Sequence, residues 1–456
     1  MKMKKNTKIL ISSSAAISAL GIIPAAVIAC GTTTETTESI TSTSIVNGVL
    51  GKKFGAANDN GPLRAETPQL SFKSVTGATS YALVILDNEA TNVIGVPFIH
   101  WAIANIKIKA DANGMINIPE NIASEANAAA RALITQGRNS SFMNANSAIP
   151  GGFQRPDSVG YFSPFPPNAG HYYQISVLAL DKEVTGLAEG FTLADLYSGI
   201  QTQGIKIVDR KYGDFFYNQV VQRQGSDSLF EHPANSLTTA PRLYRGVVPN
   251  IANIASTSVT NGNLQANFFN ARTNGVNATA DTLGQNSTIP NLSWNAVSGA
   301  NSYLVTISNY SFSNINQAPF TNFVAVVPAE ANTTNNKVTL PSQLANANST
   351  NGVIYGKNSS STDNVIATGG ASLINVMLKQ NANYFMPQGR ANWIIVVNVY
   401  ALKSNITTAS GTNPVLTNGS HFLNEFTTRA ANRDGIIAAG EFVFNLPGSG
   451  TTNATI

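Results

Sequence analysis

The chain of 456 residues has a single cysteine, Cys30, and only four histidines. One cysteine excludes any intrachain disulfide and any zinc site built on cysteine pairs. Charge is scarce as well, with Asp, Glu, Lys and Arg together making up 11% of residues. The net charge of +4 comes from 28 basic and 24 acidic residues, and four of the basic ones are Lys2, Lys4, Lys5 and Lys8. Without those four the balance is 24 to 24, so no basic field is left to attract nucleic acid. A Gly-x-Ser-x-Gly elbow and a His-x-x-x-His pair are also absent, which removes the commonest sequence signals of a serine hydrolase or a helical metal site.

What the amino terminus does contain is a positive start, an apolar run from Ile9 to Ala29, and Val27-Ile28-Ala29-Cys30 at its end. These are the parts of a secretory signal, and the segment ending in Cys30 resembles the lipobox of bacterial lipoproteins. The resemblance implies cleavage before Cys30, a diacylglycerol on its thiol, and anchoring on the extracellular face of the cell membrane. Two or three chains at about 0.8 kcal/mol per buried methylene hold such an anchor stably. Residues 1–29 are then the signal, and 30–41 form a tether rich in Thr, Ser and Glu. An uncleaved membrane helix is the alternative, since the run is long enough to span, although Ser12, Ser13, Ser14 and Pro24 interrupt it.

The chain also contains itself twice. Pro68 to Asp87 reads PQLSFKSVTGATSYALVILD and Pro290 to Asn309 reads PNLSWNAVSGANSYLVTISN, with nine of twenty positions identical at an offset of 222. Upstream, Ser42-Thr43-Ser44 and Asn47-Gly48 answer Ser256-Thr257-Ser258 and Asn261-Gly262 at an offset of 214. Downstream, Phe98 to Trp101 answers Phe320 to Phe323, and Ala179-Leu180 answers Ala401-Leu402, again at 222. A unit near 180 residues is too long for a solenoid repeat. The expectation is two globular domains, 42–222 and 256–450, with 223–255 as a polar, Pro-punctuated linker and 451–456 as a tail. Each domain is long enough to bury a core.

Tyr81 to Leu86, His100 to Ile106 and Tyr172 to Leu180 are rich in Val, Ile and aromatics and read as strands. Helix signals are few: the Ala-rich Asn121 to Gln136, and Thr192 to Ile200, which opens with Thr192-x-x-Asp195 in the manner of a capping box. The fold class is therefore mostly β, with a few peripheral helices.

With so few histidines, their surroundings matter. His100 follows Pro97-Phe98-Ile99 and precedes Trp101, His171 follows Pro166-Pro167-Asn168-Ala169-Gly170 and precedes Tyr172-Tyr173, and Asp87-Asn88-Glu89-Ala90 closes the first strong strand. Two histidines and carboxylates can ligate a metal, work as acid and base, or receive an anion. Each histidine alone can equally be an ordinary core or surface residue. His232 and His421 lie in polar, irregular stretches and read as surface residues.

In order and spacing these segments resemble the phosphatidylethanolamine-binding protein family, also called Raf kinase inhibitor-like proteins. The likeness is carried by Ser80-Tyr81-Ala82-Leu83 ending in Asp87-Asn88-Glu89-Ala90-Thr91, then His100-Trp101 and Gly137-Arg138-Asn139. It continues through Gly160-Tyr161-Phe162-Ser163-Pro164-Phe165-Pro166-Pro167, Gly170-His171-Tyr172-Tyr173 and Ala179-Leu180-Asp181, and so covers most of residues 60–215. The resemblance implies an antiparallel β-sandwich in each half and a pocket for phosphate-like or other small anionic groups. Its residues would be Asp87, Glu89, His100, His171 and Tyr173, with Pro166 and Pro167 as wall. A carboxylate beside two imidazoles favours their charged form, which gives an anion its donors. Asn88 and Thr91 stand where the family has the prolines of its acidic motif, which leaves that loop less rigid, and Ser163 stands where it has a glycine.

The matching positions of the second half hold Asn309 for Asp87, Ser311 for Glu89, Asn322 for His100, Trp393 for His171 and Ile395 for Tyr173. Strand and core residues persist while every ionisable pocket residue is replaced. This predicts a domain that keeps the fold and lacks the anion site: a structural or protein-interaction domain, or one with a neutral-ligand pocket built on Asn309 and Asn322. The functional expectation is a lipid-anchored surface protein that binds a small anion or phospholipid headgroup through its first domain, with no cofactor, no metal and no reaction. An adhesion or structural scaffold is the alternative, and a hydrolase using His100 or His171 as base is a third.

Overall fold

Alternation of side chains along a few long strands decides the architecture. A computed structural model of the chain describes residues 40–56, 65–90, 96–124, 128–142, 158–166, 170–217, 249–265, 268, 288–311, 318–344, 351–356, 358–359, 392–403 and 436–446. The expected signal segment, Cys30, most of the expected tether and linker, residues 451–456, Thr91, Pro167, His232 and His421 lie outside the described residues.

The first half contributes β1 (Ile40–Thr41), β2 (Ile45–Val46), β3 (Val49–Leu50), β4 (Leu70–Lys73), β5 (Ser80–Asp87), β6 (Phe98–Ala104), β7 (Met115–Ile118), β8 (Thr135–Gln136), β9 (His171–Leu180) and β10 (Ile207–Tyr217). Seven of them form one sheet in the order β2-β3-β10-β9-β5-β6-β8, antiparallel except at β3–β10, while β1-β4-β7 form a small second sheet. Tyr81, Leu83 and Ile85 of β5 and Ile175, Val177 and Ala179 of β9 share one face of the large sheet. They meet Leu70, Phe72, Ile116 and Ile118 of the small one around Trp101. Each such Leu or Ile contributes roughly 1.5–3 kcal/mol by leaving water.

The second half contributes β11 (Val259–Thr260), β12 (Asn263–Leu264), β13 (Thr288–Ile289), β14 (Leu292–Asn295), β15 (Ser302–Asn309), β16 (Phe320–Pro328), β17 (Thr333–Thr334), β18 (Lys337–Leu340), β19 (Gln343–Leu344), β20 (Ile354–Tyr355), β21 (Ile394–Leu402) and β22 (Ile436–Asn445). Its large sheet runs β11-β12-β22-β21-β15-β16-β20, the same order of matching strands, again with one parallel contact, β12–β22. The sheet β14-β18-β17 and the pair β13-β19 complete this half, over a core that includes Trp294, Tyr303, Ile307, Phe323 and Val397. The fold is mostly β with two curled sheets, as the sequence leads one to expect.

The helix α1 (Leu193–Thr202) starts where its cap predicts: Thr192 Oγ1 accepts the Asp195 N–H at 3.2 Å, and the Asp195 carboxylate accepts the Thr192 N–H at 2.8 Å. Asn121 to Gln136 is a correction, because among its described residues only Ala128–Arg131 is helical. Asn121 takes a left-handed φ of 60°, Ile134 is drawn into the sandwich core, and Thr135–Gln136 pairs with β6. Tertiary packing outweighs alanine propensity there. The linker boundary is corrected too. Ile251 donates its N–H to the Ala439 carbonyl and is buried in the second core, and Ala255 pairs with Ser293, so 249–255 belong to the second half.

Both large sheets fall in one compact unit, Thr37–Ile456. Their other faces are also apolar, and they meet. Ala82, Val84 and Leu178 cluster with Leu196 and Tyr197 of α1 and with Tyr310, Ile394 and Val396 of the second half. Tyr212 joins Leu304, Val324, Val326 and Tyr400. Inside this contact Arg210 and Glu441 form a buried ion pair, and the Tyr197 hydroxyl donates to Glu441 at 2.8 Å. Burial opposes the Arg210 charge, but Glu441 outweighs it and holds the guanidinium protonated. Among the described residues no helix is long and apolar enough to cross a membrane.

Candidate functional site

A β-bulge sets the site. β5 and β6 pair Ile85 with Trp101 but Leu86 with Ile99, so His100 is the extra residue. Ile103 and Trp101 face the sandwich core, and alternation alone would turn Ile99 inward and His100 outward. The bulge reverses both. Ile99 packs with Ala102 and Ala104 on the opposite face, while the His100 ring lies 5.0 Å from that of Tyr173. Two hydrogen bonds hold the bulged strand: the Ser140 hydroxyl accepts the Ile99 N–H at 2.8 Å, and the His100 carbonyl accepts the Phe162 N–H at 2.8 Å.

Asp87 ends β5 directly opposite Tyr173 of β9. Its Oδ1 accepts the N–H groups of Glu89 and Ala90 at 2.8 and 3.0 Å, closing the turn after the strand. Its Oδ2 accepts from Nδ1 of His171 at 2.7 Å and lies 4.0 Å from Nε2 of His100. Nδ1 of His100 is 2.9 Å from the Phe162 carbonyl oxygen, so that nitrogen carries the proton and donates. Tyr173 stacks on Phe215 with centroids 5.1 Å apart, and its hydroxyl makes no hydrogen bond among the described residues. All four side chains are buried. Position 170 requires glycine, because a Cβ there would run into the Phe216 ring.

Burial and charge divide the two histidines. Burial opposes charge on His171, yet the charge and hydrogen bond of Asp87, helped by Glu89, outweigh it and raise its pKa. At His100 burial wins and takes the pKa down to about 4, with the His171 charge adding to it against Asp87 and the carbonyls of Phe162 and Ser163. Burial pushes the Asp87 carboxyl up, but the two histidines, His171 foremost, bring it below its ordinary value. Burial and then the charges of Asp87 and Glu89 hold the Tyr173 phenol well above its usual range, so it stays protonated. At neutral pH the site is an ionised Asp87–His171 pair beside a neutral imidazole and a neutral phenol. The carboxylate thus favours the charged form at His171 and not at His100, where at 4.0 Å it does not offset desolvation.

Glu89 is buried in the same corner, where Oε2 accepts the Tyr172 N–H at 3.1 Å and fastens the turn to β9. Asn88 donates to Gln174 at 3.0 Å, which ties down a loop that lacks the family's prolines. Pro166 is buried, and Pro167 lies outside the described residues. Among the described residues, no group of three His, Cys, Asp or Glu side chains is placed to hold a metal ion. In the second half Asn309 faces Ile395 as Asp87 faces Tyr173, and Asn309 and Asn322 are both buried.

Sequence reasoning overlooks the bulge and the clamp beside it. Gly137-Arg138-Asn139-Ser140-Ser141 recurs as Gly356-Lys357-Asn358-Ser359-Ser360, and the Ser359 hydroxyl accepts the Thr321 N–H at 3.0 Å next to a matching bulge at Asn322. Self-comparison of the chain is enough to find that repeat.

Residues 41–208 match the family model described as phosphatidylethanolamine-binding protein. Over 156 residues the chain is 31% identical to Bacillus subtilis YxkA, described as an uncharacterized protein, covering 33% of this chain and 84% of that one. Through its first half, the chain belongs to the phosphatidylethanolamine-binding protein family. Among solved structures it is similar to Escherichia coli YbcL, described as a new member of the mammalian PEBP family, and to the PEBP homologue CT736 from Chlamydia trachomatis. Each is 19% identical and matches 40% of this chain; 98% and 96% of their own lengths are covered, with TM-scores of 0.29 and 0.26. The family match falls on the half that carries Asp87, His100, His171 and Tyr173.

Proposed function

We propose that the first half binds a small anionic or phosphate-containing group, such as a phospholipid headgroup, and that Cys30 anchors the protein by lipid to the extracellular face of the membrane. One observation carries the binding reading: Asp87, His100, His171 and the Tyr173 ring come together in a buried corner. Stability alone gives no reason for that set. A buried ion pair rarely adds net stability, and a buried hydroxyl without a partner costs roughly 1–3 kcal/mol. A ligand supplies the reason, with positive charge at His171 and a donor at Tyr173. None of the four is an activated nucleophile, so the reading is binding and not catalysis.

The test is calorimetry of inorganic phosphate with the purified chain, with NMR of the two imidazoles. Binding that shifts both rings and is lost in His100→Ala/His171→Ala supports the reading; unchanged affinity in that double variant sinks it. The anchor is tested separately by Cys30→Ser, which should release the protein from the membrane fraction. A scaffold or adhesion role is the second reading, favoured by the apolar contact between the two large sheets and by the replaced site of the second half, which could serve a protein partner.

A further inference from the structure

Resting on that anion-pocket reading, we propose that the site selects phosphate groups carrying their own proton, namely phosphate and its monoesters, and rejects sulfate and phosphodiesters. Nδ1 of His100 gives its proton to the Phe162 carbonyl at 2.9 Å, so in the neutral ring Nε2 presents a lone pair. That lone pair faces Oδ2 of Asp87, a second acceptor, across 4.0 Å. A ligand oxygen entering there must bring a hydrogen, and sulfate and phosphodiesters offer acceptors only.

The contacts of the described groups around His100 leave this requirement in place. Asp87 on β5 and Glu89 on the following turn are carboxylates, Phe162 and Ser163 present carbonyls, and His171 on β9 commits its Nδ1 proton to Asp87. Tyr173, with Tyr161 beyond it, adds neutral phenols, and the Tyr173 hydroxyl is left to donate to the other face of the ligand. Charging His100 from solvent at pH 7, against a pKa of about 4, weakens binding by a factor of about 1000. Protonating a monoester whose second pKa is near 6 weakens it only about tenfold. The monoester is therefore favoured on the order of 100-fold at pH 7. The advantage shrinks about tenfold between pH 7 and 5, most of it below pH 6, as solvent protons reach His100.

The experiment is calorimetry of the purified full chain with methyl phosphate, dimethyl phosphate and sulfate at pH 7, 6 and 5. Methyl phosphate should bind about 100-fold tighter than the other two at pH 7, the ratio should narrow on acidification, and His100→Gln should remove most of it. Equal affinities at pH 7 in the wild type overturn the selectivity while leaving the anion pocket standing. No binding of any probe at any pH overturns both. Glycerol 3-phosphate against vesicles containing phosphatidic acid then tells a soluble source of the monoester from a lipid one.

Discussion

Replacing His100 by Asn, the residue at the matching position of the second half, removes one titration from a buried corner. In the folded chain that imidazole titrates at about 4, against 6.5 ordinarily. Between those two values the unfolded ring takes up a proton that the folded ring refuses, so falling pH favours unfolding. At about 1.4 kcal/mol per pH unit the loss over the window is about 3 kcal/mol. The neighbours are flat over the same window. The raised pKa of His171 gives a contribution fully present below 6.5 and lost only as pH rises through its folded value. The lowered pKa of Asp87 gives a contribution present above 3.8 and lost only as pH falls through its folded value. Urea unfolding followed by tryptophan fluorescence at pH 6.5 and 4 should therefore show the wild type losing about 3 kcal/mol more than His100→Asn. Any fixed cost of the substitution cancels in that difference. Equal losses, or a His100 ring that titrates near its ordinary value by NMR, would refute the reasoning.

Other outcomes follow from the same contacts. Glu441→Gln leaves Arg210 charged and buried between the sheets and should cost about 3–5 kcal/mol, read as a shift in the urea midpoint, whereas the double variant Arg210→Met/Glu441→Leu should cost less. Ser140→Ala orphans the Ile99 N–H and should cost roughly 1–3 kcal/mol while weakening phosphate binding. Ser359→Ala should cost a similar amount and leave calorimetric phosphate binding unchanged. Thr192→Ala removes the cap of α1 and should lower stability by about 1 kcal/mol in the same urea assay.

The sequence makes legible whatever depends on local pattern. The Val, Ile and aromatic content of Tyr81 to Leu86 and Tyr172 to Leu180 places both strands within a residue or two of their ends, and the Thr192–Asp195 spacing places a helix start. His100 and His171 are readable as candidates because their neighbours carry a family pattern. What local pattern does not carry is the sum of distant effects. The opposite charge states of the two imidazoles depend on which of them reaches Oδ2 at 2.7 Å. The orientation of His100 depends on a register shift between β5 and β6, and period-two reasoning sends it to the wrong face. The meeting of the two large sheets is likewise hidden, since β5 and β15 are apolar on both faces and pattern alone does not say what covers the second.

The second half separates what the fold needs from what the site needs. It keeps the bulge, now at Asn322, and the serine clamp on the strand beside it, now Ser359 on the Thr321 N–H. It also keeps the tie between the turn and the next strand, with the Ser311 hydroxyl accepting the Ile394 N–H at 2.8 Å where Glu89 accepts that of Tyr172. Those features serve the backbone, because the half that retains them has none of the ionisable set. Conversely, Asn309, Asn322 and Ile395 occupy the site positions in a sandwich of the same strand order, so Asp87, His100 and Tyr173 are not required to build it. Glu89 therefore belongs mainly to the turn, and on the proposed anion-binding reading the ligand's first contacts are His171, His100 and Tyr173. On that division, Glu89→Ser should disturb anion binding far less than Asp87→Asn, and calorimetry of the two variants with phosphate gives the opposite order if Glu89 itself holds the ligand.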